Sequence, residues 1–281
     1  MSTTWRDLLR RAQEELDGQE ARFIVEQASG RSPAELSADL DERATERGRL
    51  AVESMVARRR AGEPLQYVLG AWSFRMVDLL VDRRVLIPRP ETEAVVEVAL
   101  AELPAPAGDR TLVAVDLGTG SGAIALSLAV ERPDLEVWGT DSSAAALEVA
   151  RANLSGLAGR AATRVTLAGG SWFEALPDRL RGAVDLVVSN PPYVAVEDEV
   201  EEAVAAWEPA EALYAGGGGL EATESILAAA PGWLADGGVV VLEVASQRWE
   251  ETEELARALG YRSVDTRPDL AGRPRALVAR P

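Results

Sequence analysis

The stretch Val115-Asp116-Leu117-Gly118-Thr119-Gly120-Ser121-Gly122 constrains this chain more than any other. An apolar run leads into it and a helix-forming run leaves it. Its three alternating glycines let the backbone turn sharply and approach a ligand closely, while the helix start offers free N–H groups. From Thr111 onward the surrounding pattern alternates between strand and helix. Strands are predicted at residues 112–117, 136–140, 164–168, 184–189, 239–244, 261–266 and 276–279, and helices at 123–130, 144–154, 221–230 and 250–259. Such alternation requires an α/β architecture, a doubly wound, Rossmann-like parallel sheet with helices on both faces. The last two strands are close in sequence, which suggests an antiparallel terminal hairpin. Residues 216–219, four consecutive glycines, read as a flexible loop.

The first 65 or so residues read as helices only, a small all-α N-terminal domain. Trp5, Leu8, Leu9, Ala12 and Leu16 recur at helical spacing, and Asp17-Gly18 ends that run. Ser32-Pro33-Ala34-Glu35 is a helix start, with a capping serine, proline in the first turn and glutamate three residues after the cap. A longer helix follows over residues 45–60, and its closing Arg58, Arg59 and Arg60 read as a solvated helix end that suits the dipole. Residues 66–87 read as a hairpin or extended connector, and residues 88–281 as the sheet domain. The prolines of Ile87-Pro88-Arg89-Pro90-Glu91-Thr92-Glu93 force an extended segment before a helix over residues 93–103; a loop is expected at 104–108.

Composition removes several chemistries. The chain has no cysteine and no histidine, which excludes disulfides, thiolate nucleophiles, a histidine base and the usual zinc sites. It has no lysine either, so every basic side chain is arginine. The net charge of -17 disfavours nonspecific binding to a phosphate backbone. No apolar run approaches a membrane span, and residues 1–11 lack the apolar core of a secretory signal. A cytoplasmic protein, with neither membrane nor direct nucleic-acid contact, is expected.

Two details turn the glycine loop toward S-adenosyl-L-methionine. Its spacing differs from the dinucleotide pattern, and Asp116 stands before the first glycine, where a carboxylate can meet a cationic amino-acid group directly or through water. Asp141 ends the second strand about twenty residues on, the place for a carboxylate that bonds ribose hydroxyls. The fourth strand runs straight into Asn190-Pro191-Pro192-Tyr193. Open α/β sheets bind ligands at the carboxyl edge, so this loop and the glycine loop face one crevice. A planar NH2 group offers two donors in its plane and a π face above. Asn190 Oδ1 and the Pro191 carbonyl can accept the two N–H groups, the prolines stiffen the loop, and Tyr193 can stack on the face.

Together, the glycine loop, Asp141, Asn190 to Tyr193 and the Ile87 to Glu93 segment resemble the release-factor glutamine methyltransferases (the PrmC/HemK family) over essentially the whole chain. Trp207-Glu208-Pro209 with Ala212-Leu213 extends the likeness. The Asn-Pro-Pro-Tyr element is shared with adenine-N6 methyltransferases of nucleic acid. The Ile-Pro-Arg-Pro-Glu-Thr-Glu segment is more selective and also separates the chain from methylases of a ribosomal-protein glutamine. The resemblance implies methyl transfer from S-adenosyl-L-methionine, leaving S-adenosyl-L-homocysteine, to the glutamine side-chain nitrogen of the Gly-Gly-Gln motif in class I peptide-chain release factors. It implies no metal, and a monomer is expected. Carried over by position, Gly118, Thr119, Gly120, Ser121, Gly122, Asp141, Trp172 and Asn190 would contact the cofactor. Asn190, Pro191, Pro192 and Tyr193 would hold the glutamine, with Asn190 and Tyr193 as the catalytic pair. Family members often carry an acid immediately before the aromatic at 172; here it is Ser171.

Overall fold

The computed structural model describes residues 3–105, 111–157, 159–198 and 200–281; residues 106–108 of the expected loop lie outside the described residues. The chain forms two compact units, Met1–Trp72 with Glu201–Trp207, and Ser73–Val200 with Glu208–Pro281.

The first unit contains α1 (Trp5–Gln13), α2 (Gly18–Ser29), α3 (Pro33–Ala38), α4 (Glu46–Arg60) and α5 (Leu65–Leu69). The residues at helical spacing face inward: Trp5, Leu8 and Ala12 pack with Ile24, Leu36, Val52 and Val68. Each start has a local cause. Thr4 and Asp7 form a capping box on α1, and Ser32 and Glu35 form one on α3. The arginine run is a solvated end, as expected, with side chains 29 to 62% exposed, and it also carries surface ion pairs. Arg58 pairs with Glu63 at 2.6 Å, Arg59 with Glu20 at 2.8 Å and Arg60 with Glu15 at 2.6 Å. Acids on neighbouring turns draw these guanidinium groups onto the unit's own surface.

A hairpin of β1 (Ala71–Phe74) and β2 (Val77–Leu80) leads into the second unit. At its turn Arg75 has φ 48, uncommon for a residue with a side chain. Its guanidinium bonds Glu131 at 2.6 Å and Glu97 at 2.8 Å. Helix α6 (Pro90–Glu102) begins earlier than predicted, because proline is well suited to the first helical position. Then come β3 (Leu112–Leu117), α7 (Ala123–Glu131), β4 (Leu135–Asp141), α8 (Ala144–Gly156), β5 (Val165–Gly169) and β6 (Val184–Ser189). Helix α9 (Glu202–Trp207) belongs to the first unit. The chain continues with α10 (Ala210–Leu213), α11 (Glu221–Ala229), β7 (Leu234–Glu243), α12 (Trp249–Ala258), β8 (Ser263–Pro268) and β9 (Pro274–Arg280).

The seven strands lie in the order β5-β4-β3-β6-β7-β9-β8. All pairs up to β7 are parallel; β9 is antiparallel to both neighbours, so the terminal hairpin inserts its second strand beside β7. Strand β7 starts five residues before its predicted position, since Asp236-Gly237-Gly238, which reads as a loop, is absorbed at a register shift opposite Val184 and Leu186. Val115, Leu117, Val187, Val240, Leu242 and Leu277 sit in one buried cluster, so the central strands are apolar almost throughout.

Candidate active site

Strands β4 and β5 build outward on one side of β3, and β6 and β7 on the other. The chain therefore reverses direction between β3 and β6, and a crevice opens outside their carboxyl ends. A cleft of about 1070 Å³, counting its open mouth, lies in the second unit and is walled by Gly118, Thr119, Gly120 and Ser121 after β3. Asp141 closes β4 into the same cleft, Ser171 and Trp172 follow β5, and Asn190 and Pro192 follow β6. Gly122, Pro191 and Tyr193 are not among the wall residues.

The glycine loop works by backbone shape. Gly118, Gly120 and Gly122 have φ of 71°, 56° and 86°, values an L side chain rarely adopts. The N–H groups of Gly118 and Thr119 both donate to the Thr140 carbonyl, at 2.8 and 2.9 Å. The Thr119 hydroxyl donates to Asp116 Oδ2 at 2.6 Å, and the Ser121 carbonyl accepts from Asn153 Nδ2 at 2.8 Å. Asp141 supports the loop from the next strand, Oδ2 accepting the Gly120 N–H and Oδ1 the Ser143 N–H, each at 2.8 Å.

Asp116 stands behind the loop and does not reach the cleft wall. It is fully buried; Oδ2 also accepts the Ala125 N–H at 3.1 Å, and Oδ1 has no hydrogen-bond partner among the described residues. Burial, with the nearby charge of Asp141, pushes its carboxyl up to about 7 against the bonds from Thr119 and Ala125. Burial and the charge of Glu211 raise Asp141 as well. Arg84, the basic residue in the wall, is engaged by Asp82 at 2.6 Å and Glu148 at 3.0 Å. The raised proton affinity of Asp141 in the wall and a cradle of bare backbone fit a cationic ligand such as S-adenosyl-L-methionine. No cluster of His, Cys, Asp and Glu that could hold a metal occurs among the described residues.

Trp172 is held with φ 45, and its carbonyl accepts the Thr140 hydroxyl at 2.9 Å. Its ring lies 3.4 Å from where a Cβ on Gly118 would stand, so the indole rests on the start of the glycine loop. A bulky residue in this backbone region must be held by its surroundings, a state that gathers at ligand sites.

Asn190 Nδ2 donates to Thr92 Oγ1 at 3.2 Å, and Thr92 Oγ1 donates to Glu243 Oε2 at 2.6 Å. Tyr193 places its hydroxyl 3.4 Å from Glu243 Oε1, and Arg275 lies 3.9 Å from the same oxygen. Glu243 is buried at the carboxyl end of β7, and burial raises its proton affinity against the opposing pull of Thr92 and Arg275. Burial and the charge of Glu243 push the Tyr193 phenol up. No described residue donates to Asn190 Oδ1. Of the residues quoted from the sequence, the structure thus joins Asn190 and Tyr193 through a residue the sequence reading missed. The signal was there: Glu243 is the acid that ends an apolar run in a central strand, and a buried charge requires partners.

Glu208 was missed in the same way. One oxygen accepts the Ile87 N–H at 3.0 Å and the other is bonded by Arg89, so one buried carboxylate shapes the extended Ile87 to Pro90 segment. Beyond Tyr193, the Val194 N–H donates to the Leu213 carbonyl at 3.1 Å. The glycines at 216–219, read as a flexible loop, carry specific hydrogen bonds at Gly218. Arg248 donates to the Gly218 carbonyl at 2.6 Å and to Asp198 at 2.8 Å, and the Gly218 N–H donates to Glu221 at 2.7 Å.

Residues 2–70 match the family described as the PrmC N-terminal domain, and residues 97–267 the methyltransferase small domain. The chain is 44% identical over 254 residues to the release factor glutamine methyltransferase of Bordetella pertussis, spanning 90% of this chain and 91% of that protein. It is 39% identical over 261 residues to the protein of the same name from Coxiella burnetii, spanning 93% and 91%. Among solved structures, a methyltransferase from Pyrococcus furiosus shares the fold, with a TM-score of 0.51 at 20% identity over 72% of this chain and 88% of that one. This chain belongs to the release factor glutamine methyltransferase family.

Proposed function

We propose that this protein methylates the side-chain amide nitrogen (N5) of the Gly-Gly-Gln glutamine in class I peptide-chain release factors, drawing the methyl group from S-adenosyl-L-methionine. One observation carries the reading. Asn190 anchors its NH2 on Thr92, leaves Oδ1 without a donor among the described residues, and shares a cleft with the glycine loop and Asp141. When bound, the cofactor supplies an electrophilic methyl group. Gly118, Thr119, Gly120 and Ser121 would cradle its amino-acid part, Asp141 its ribose, and Trp172 its adenine. Asn190 Oδ1 and the Pro191 carbonyl would each accept one N–H of the glutamine amide, with Pro192 holding the turn and Tyr193 flanking the amide plane.

An amide nitrogen is a poor nucleophile because its lone pair is delocalised, so orientation must contribute much of the rate. Acceptors fixed in advance also stabilise positive charge as it develops on that nitrogen. The cationic N-methyl amide is acidic enough to lose its proton to water, and no side-chain base is required. The helical unit, Met1–Trp72 with Glu201–Trp207, would dock the release factor. The protein would act in the cytoplasm as a monomer; no helix of the described residues is long and apolar enough to cross a membrane.

The test offers the purified protein labelled S-adenosyl-L-methionine with either release factor or adenine-containing DNA, followed by peptide mapping. Label on the Gly-Gly-Gln glutamine is expected. Label on DNA with none on that glutamine would overturn the assignment.

A further inference from the structure

We infer that Glu243 is a positioning residue: through Thr92 it decides which end of the Asn190 amide faces the cleft. The inference rests on the reading that Asn190 receives the substrate amide. Strand β6 and the two prolines fix the Asn190 backbone, but they leave the last side-chain torsion, which is broad and two-fold. Its oxygen and nitrogen ends are nearly equal in size, so only hydrogen bonding can choose between them.

Proton counting makes the choice. The Thr92 hydroxyl has one proton, and it goes to Glu243 Oε2 at 2.6 Å. Tyr193 O–H and the Arg275 guanidinium approach the other carboxylate oxygen, at 3.4 and 3.9 Å, so donors and positive charge surround Glu243. With its proton committed, Thr92 Oγ1 can only accept from Asn190, and the Asn190 Nδ2 stands 3.2 Å away. Reversing the amide would set two acceptor oxygens against each other at Thr92 and turn an NH2 into the cleft. A glutamine NH2 would then meet a donor instead of an acceptor. Glu243 itself is 1% exposed and is not in the cleft wall, so it reaches the substrate only through the side chains it holds, Thr92 and Tyr193.

Glu243→Gln tests the relay while keeping size and a fastening bond to Thr92. Its carboxamide can donate to Thr92, which frees the threonine proton for Asn190 Oδ1 and inverts the asparagine. The variant should bind S-adenosyl-L-methionine and show a release-factor KM like the parent, while kcat falls on the order of 10²-fold. Thr92→Val should lose similar turnover and Thr92→Ser should recover it. In a Tyr193→Phe background, which removes the other hydroxyl facing Glu243, adding Glu243→Gln to Thr92→Val should cost little more, because both then act through the Thr92 hydroxyl. A second readout needs no turnover: the side-chain amide resonances of Asn190 should shift in Glu243→Gln and stay put in Thr92→Ser. Unmoved resonances in folded Glu243→Gln, or full multiplicative losses in the Tyr193→Phe background, would overturn the relay. A parent enzyme that fails to label the glutamine would instead strike the functional reading, and the resonances would still judge the relay.

Discussion

At the scale of single residues, two side chains act through what they leave unpaired. Asn190 presents one oxygen with no partner among the described residues. Asn190→Ala should therefore lower kcat by ~10²–10³ while changing cofactor affinity little, as turnover and calorimetry on the same preparation would reveal. Asp116 has its own unpartnered oxygen, deep in the protein, and its carboxyl is pushed from the ordinary 3.8 to about 7. The folded chain thus holds a proton between those values that the unfolded chain has released. Its contribution to stability is full below pH 3.8 and is lost as pH rises through about 7. Thermal melts of the ligand-free protein and of Asp116→Asn, from pH 4 to pH 8, should diverge accordingly. The asparagine variant should gain on the parent with rising pH, and parallel curves would contradict the assignment.

At the scale of elements, the glycine loop joins strand to helix by three left-handed turns. Gly122 is the most tightly placed: its φ is 86°, and an added Cβ would stand 3.2 Å from Leu126 in the next turn of α7. Gly122→Ala should cost at least the ~1–2 kcal/mol of a left-handed residue, seen as a lower urea midpoint. Cofactor affinity should fall with it. This loop, the parallel strands, the capping box at Ser32 and the terminal hairpin were legible because each is written in consecutive residues. The Thr92, Glu208 and Glu243 network was not, since Thr92 meets Glu243 across 151 positions and Ile87 meets Glu208 across 121. Only the fold brings such pairs together. The partners of the solvated Arg58 to Arg60 run were hidden for the same reason: Glu15 and Glu20 lie on turns that periodicity does not place beside it. The bonds at residues 216–219 were hidden in the same way, because a run of glycines does not show that Arg248, at α12's leading edge, donates to the loop.

At the scale of the whole molecule, every wall residue of the cleft comes from the second unit. A chain beginning at Ser73 should keep measurable cofactor binding. If the helical unit docks the release factor, that chain should need at least tenfold more of it for half-maximal turnover, ~1.4 kcal/mol of lost binding. Titration of release factor against both chains decides the matter, and an unchanged KM would end the docking role. The helical unit is also not a simple prefix. The chain leaves it after Trp72, re-enters at Glu201 and leaves again after Trp207, immediately before Glu208 grips the segment that carries Pro88 and Pro90. Grafting residues 1–72 from one relative onto another would pair them with a foreign 201–207. The two units are therefore not separable at a single point in the chain, and a graft that moves residues 201–207 together with 1–72 should keep more stability than one that moves 1–72 alone.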